Sequence, residues 1–153
     1  MKKLSTKMST GIGQALRDAE KIIALEKYAW NPDRWHLPLN HHSDPLKHKC
    51  EVCLAGCSMA ERYGILWEEN ATPGTLKNKD RMMLSALDSF MRQDFYNLFD
   101  LWGTSTVTNY PKEMQDRVIN RLHSEVPHFS MRNFQKFKVH ARKAIKILRE
   151  EGL

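Results

Sequence analysis

A chain of 153 residues with 41% hydrophobic and 27% charged residues is long enough to bury one real core. Its formal charge of +6 excludes a DNA mimic, which would be strongly acidic. No apolar run reaches membrane-spanning length, nothing resembles a signal peptide, and three cysteines form an odd set, so a cytoplasmic protein with no membrane partner is expected.

Met1 to Thr10 is basic and polar and reads as a flexible arm, with residues 11–153 forming a single helical domain. Ser9 or Thr10 can cap a helix running to about Tyr28. Ile12, Ala15, Leu16, Ala19, Ile22, Ile23 and Leu25 give it an apolar face; Arg17, Asp18, Glu20, Lys21 and Lys27 fall on the other side.

Trp30 to Lys49 is the one long irregular stretch, because Pro32, Pro38 and Pro45 exclude a continuous helix. Trp30, Trp35, His36, His41 and His42 within it make a candidate surface for a protein partner. The segment Asn40 to Asp44 is similar to the histidine segments of nucleases, but no helix offers a matching second histidine.

The next stretch, Lys47 to Gly64, holds every cysteine. Val52 to Tyr63 is apolar on most of a helical surface, which predicts a buried central helix closed by Gly64. Gly56 would admit another backbone at close range. His48, Cys50, Cys53 and Cys57 have the spacing H-x-C-x2-C-x3-C, a candidate tetrahedral metal set. Against it stands the absence of a second C-x2-C knuckle; buried cysteines also serve as small apolar residues. A Cys50–Cys53 disulfide is a third reading, and nearby lysines and a histidine would then lower a thiol pKa. No cofactor is expected.

Pro73-Gly74 marks a turn. Lys79 to Met91 reads as a helix with Met82, Met83, Ala86, Leu87 and Phe90 inward, followed by a polar step and a second stripe of Phe95, Leu98, Phe99 and Trp102. One bent helix and two helices both fit. Gly103 to Asn109 is a polar loop. Tyr110-Pro111 opens the next helix, with Met114, Val118, Ile119 and Leu122 on one face and Pro127 as its end. Arg117 and His123 fit a loose pattern of helical ribonucleases, yet lack a paired second copy. Ser130 can cap a last helix, Met131 to about Glu151, whose inward stripe is Phe134, Phe137, Ala141, Ala144, Ile145 and Leu148. Off that stripe lie Lys136, Arg142, Lys143, Lys146 and Arg149, a candidate nucleic-acid-binding set. The charge sums agree: residues 1–27 carry +3, 51–100 carry −3 and 131–153 carry +5. The fold expected from these elements is all-α, a compact single domain of five or six helices with one long Trp/His/Pro-containing loop.

The segment Cys50-Glu-Val-Cys53-Leu-Ala-Gly-Cys-Ser-Met59-Ala60 resembles the C-x-x-C-L-A-G-x-x-M-A segment of small tailed-phage and prophage proteins. Trp35 and Ala86-Leu87-Asp88-Ser89-Phe90 would match a tryptophan-containing stretch and an A-L-D-S segment of the same proteins. Cys57 stands where that pattern carries alanine, which counts against a three-cysteine metal site. The resemblance implies a viral origin and a helical fold, and no activity. With no credible catalytic set, the first expectation is a phage-encoded, non-enzymatic protein that binds a host or phage protein. The alternative is an accessory protein that binds DNA or RNA through the basic C-terminal helix. A metal-dependent enzyme is a third class.

Overall fold

A computed structural model describes residues 3–35, 49–65, 73–101 and 110–153. The protein is mainly helical. Its elements are α1 (Met8–Ile23), β1 (Tyr28–Trp30), β2 (Cys50–Val52), α2 (Leu54–Tyr63), α3 (Asn78–Asp88), a π-helical segment (Ser89–Tyr96), α4 (Lys112–Glu125) and α5 (Phe134–Glu150). The chain divides into two compact units, one holding Ala15–Leu87, the other Leu4–Gln14 and Asp88–Leu153.

In the first unit, the expectation of an all-α fold needs correction. β1 and β2 form a two-stranded parallel sheet, with Tyr28 opposite Cys50, Ala29 opposite Glu51 and Trp30 opposite Val52. Tyr28-Ala-Trp30 carries two aromatic residues that favour extended backbone. The first helix therefore stops at Ile23, short of Tyr28, and the chain turns through residues 24–27 into β1. Parallel strands need a crossover of a dozen or more residues. That requirement accounts for the length of the segment joining Trp30 to Cys50, which the sequence presents as a long loop. Asn31 N–H extends the ladder to the Val52 carbonyl at 3.0 Å.

The central helix begins later than expected. Val52 belongs to β2, Cys53 is the N-cap, and α2 runs from Leu54. Seven successive residues, Leu54 to Ala60, are buried, as its all-round apolar sequence predicts. Gly64 closes it at φ 68°. On α3 the inward residues are Leu84 and Leu87; Met82 is 67% exposed and Ala86 is also exposed, contrary to the expected stripe.

The second unit is built on α4 and α5. The π-helical segment buries Met91, Phe95 and Tyr96, and Leu98 and Phe99 continue the buried run; Met91, Phe95 and Phe99 recur at four-residue intervals. In an α-helix each such step overshoots one turn by about 40°. Wider turns absorb that excess, and the bonds show it: Asn97 N–H reaches the Arg92 carbonyl and Leu101 N–H the Tyr96 carbonyl, both five residues back. The polar step at residues 92–94 is therefore part of one continuous helical run.

α4 buries Val118 and Leu122, with Met114 and Ile119 half-buried. α5 buries all six residues of its expected stripe, and Ile147 as well. Its cap is Asn133 and not Ser130: the Asn133 side chain accepts the Lys136 N–H at 3.0 Å, while the Ser130 hydroxyl lies 3.4 Å from the Asn133 N–H. Among the described residues no helix is long and apolar enough to cross a membrane.

Candidate nucleic-acid interface

α5 carries Lys136, Lys138, Arg142, Lys143, Lys146 and Arg149 against one acid, Glu150. The same helical period that buries Phe137, Ala141, Ala144 and Leu148 turns most of these cations outward. Lys136, Arg142, Lys143, Lys146 and Arg149 are all exposed, as the sequence places them. Arg142, Lys146 and Arg149 follow one stripe at i, i+4 and i+7; Lys136 and Lys143 lie two turns apart on another. From Lys136 to Arg149 the row extends about 20 Å along the helix. Val139, 50% exposed, is the apolar residue on this face.

The neighbouring charges are arranged differently. Arg121 of α4 bonds Glu125 at 2.9 Å, reaches Glu150, and lies 3.6 Å from Glu151. Arg117 bonds Glu151 at 2.6 Å. These bonds to Arg121 hold the Glu150 carboxyl below its ordinary pKa. The acids at the end of α5 are thus engaged by α4. Among the described residues Lys136, Lys143, Lys146 and Arg149 make no ion pair. Lys136, Lys143, Lys146 and Arg149, outward cations outside these ion pairs, form a surface for polyanions.

His140 stands at the edge of this row. Its Nδ1 accepts the Ser130 N–H at 2.8 Å, and its ring lies 5.3 Å from that of Phe129. Partial burial, then the charges of Lys143 and Lys136, push its pKa below the ordinary imidazole value. Phe129 is also one wall of a cavity of about 390 Å³ at the C-terminal end of α4, where Asp100, His123 and His128 contribute polar groups. Sequence reasoning missed Asp100 and His128. His123 was weighed for a ribonuclease pattern with Arg117, which is engaged with Glu151 instead.

The other candidate sets lie in the first unit. Trp30 sits half-buried in β1, inside the sheet and not in an irregular stretch, and Trp35 is half-buried. His36, His41 and His42 lie outside the described residues, as does His48. Cys50 is in β2, Cys53 caps α2 and Cys57 is within it; all three are buried free thiols. The Cys50–Cys53 disulfide reading is corrected: both thiols are free. Among the described residues no three His, Cys, Asp or Glu side chains gather as metal ligands. Burial, then the nearby Cys53 and Asp18, hold the Cys57 thiol well above its ordinary pKa, so it is not an activated nucleophile.

Asp18 is a further correction in this unit. Expected on the solvent side of α1, it is 4% exposed and bonds both Arg62 and Ser58 of α2. Its place beside Ala15, Ala19 and Ile22 was the available signal.

No family model matches the chain, and neither the curated proteins nor the solved structures contain a match.

Proposed function

We propose that this is an accessory protein that binds nucleic acid through the outward face of α5. The observation that carries the reading is the row Lys136, Lys143, Lys146 and Arg149, exposed and without ion pairs among the described residues. A helix serving only as a solvated surface commonly alternates its charges. Here six cations meet a single acid, and that acid is turned to Arg121. Each phosphate contact releases a counterion, so affinity falls with salt by roughly one logarithmic unit of slope per contact. Replacing Lys136, Lys143, Lys146 and Arg149 by glutamine removes charge while leaving the buried stripe intact. The expected result is an unchanged fold and a salt slope smaller by about three to four. Binding that does not depend on salt, or a quadruple variant that binds like the unmodified protein, would reject the reading.

A second reading, a phage-encoded protein that engages a host or phage protein in the host cytoplasm, is supported by α3. Met82 and Ala86, four residues apart, expose an apolar edge where the sequence calls for burial. The resemblance of the cysteine segment to phage proteins supports the same origin. Met82→Glu should abolish capture of such a partner from infected cells, with stability unchanged; retention of the partner would remove this reading.

A further inference from the structure

We propose that the cavity at the C-terminal end of α4 receives an unstacked base, so that the protein binds single-stranded nucleic acid in preference to duplex. This rests on the reading of α5 as a phosphate-binding face.

The volume, about 390 Å³, falls within the range of small-molecule sites. Phe99, Leu122 and Val126, each no more than 3% exposed, are the apolar residues of its lining that belong to the core. Phe129 forms part of the wall and offers an aromatic ring for a base to stack on. The polar contribution is of the kind a base edge needs. Asp100 brings acceptors only, while His123 and His128 each bring a ring N–H donor and, when neutral, an acceptor. A phosphate would be repelled by Asp100, which directs the backbone elsewhere and leaves the base for the cavity.

Two further observations agree. Asp100 (φ 52°) and His128 (φ 62°) are the non-glycine residues with positive φ among those described, and both line this cavity. Aspartate and histidine are among the residues that tolerate this backbone region best, though it still costs free energy. Phe129 also joins the cavity wall to α5. Phe129 packs against Phe137 at 6.1 Å and His140 at 5.3 Å between ring centroids, and His140 feels the charges of Lys136 and Lys143. A strand whose phosphates follow those lysines carries its bases within reach of Phe129. In a duplex the bases are paired and stacked, and cannot enter without being flipped out.

The test is anisotropy of a dye-labelled mixed-sequence 12-mer, single-stranded and as a duplex, at one salt concentration. The single strand should bind about tenfold more tightly, the contribution of one stacked base. Phe129→Leu removes the aromatic ring from the cavity wall and should erase that tenfold while the α5 cations still bind duplex. Equal affinity for strand and duplex, or full single-strand preference in a folded Phe129→Leu variant, would overturn the proposal and leave the α5 reading standing. Absence of binding to either oligonucleotide would overturn both. Should the variant fail to fold, the unmodified protein decides: the imidazole proton resonances of His123 and His128 should shift with single strand and not with duplex. Resonances that stay fixed while single strand binds would overturn the cavity.

Discussion

Asp18 of α1 and Arg62 of α2 form a two-point ion pair, with Arg62 Nε and Nη2 each donating to a separate carboxylate oxygen at 3.0 Å. The Ser58 hydroxyl donates a third bond to the same carboxylate, also at 3.0 Å. The two side chains are 6% and 14% exposed, so the pair is largely removed from water. Such a pair contributes little against an apolar substitute of equal shape, but losing one member strands the other charge. Arg62→Met should therefore destabilise the protein by about 3–5 kcal/mol in urea denaturation, with unchanged m. Asp18→Leu combined with Arg62→Met should recover much of that loss. Additive losses in the double variant would show that the two groups are not coupled.

Gly56 lies in the buried run of α2, and a Cβ there would come within 2.0 Å of the Trp35 backbone carbonyl oxygen. A backbone atom cannot rotate away as a side chain can. Gly56→Ala, otherwise a favourable change in a helix, should here destabilise by about 1–3 kcal/mol. A rise in thermal midpoint instead would mean that the Trp35 backbone is free to withdraw.

The long amphipathic elements are the legible part of this protein. The stripes of α4 and α5 were readable because their period is regular and Pro111 and Pro127 bound α4, although Asn133, not the expected Ser130, caps α5. The cations of α5 were readable for the same reason: residues off a buried stripe face solvent. What was hidden depends on contacts distant in sequence. Cys50-Glu-Val52 becomes a strand because Tyr28-Ala-Trp30 pairs with it, and no local pattern announces a three-residue parallel partner. Asp18 reads as a surface acid until Arg62, 44 residues away, is placed beside it. The cavity joins the end of α4 to residues 99–101, which a one-dimensional reading assigns to separate elements.

His140 supplies a pH dependence whose sign follows from its surroundings. Its Nδ1 accepts the Ser130 N–H, a bond that the protonated ring cannot accept. Partial burial, then the charges of Lys143 and Lys136, make the folded protein hold this proton less tightly than the unfolded chain, whose imidazole titrates near 6.5. Above that value both states are neutral and the group has no effect on stability. As pH falls below it, the unfolded state takes up a proton first, and stability declines until the lowered folded value is passed. His140→Asn offers a carbonyl acceptor that does not titrate. The difference in stability between the unmodified protein and this variant should shrink or reverse on acidification from pH 7 to 5; a pH-independent difference would remove His140 from the account.

Ser9 connects the start of α1 to the end of the chain. Its N–H and its hydroxyl both donate to the Leu153 carbonyl, at 3.2 and 2.7 Å. Met8 and Ser9 are 3% and 1% exposed, although the sequence reads this stretch as part of an arm. Burial of Met8 removes apolar surface from water, and the Ser9 bonds give the half-buried Leu153 oxygen two donors. Gly11 adds a steric element, since a Cβ there would lie 2.3 Å from the Ser5 carbonyl oxygen. The Ser5 N–H in turn donates to the Gln14 side chain at 2.8 Å. Residues 5–11 are thus tied to their own helix and to the C-terminus. Ser9→Ala should lower stability by about 1 kcal/mol, the net contribution of an ordinary buried hydrogen bond. Deleting residues 1–10 should cost several times more, because Met8 leaves the core in addition. Deleting Leu153 should remove the effect of Ser9→Ala, since the acceptor is then gone from both proteins. Equal stability of the deletion of residues 1–10 and the full chain, by urea denaturation, would restore the arm.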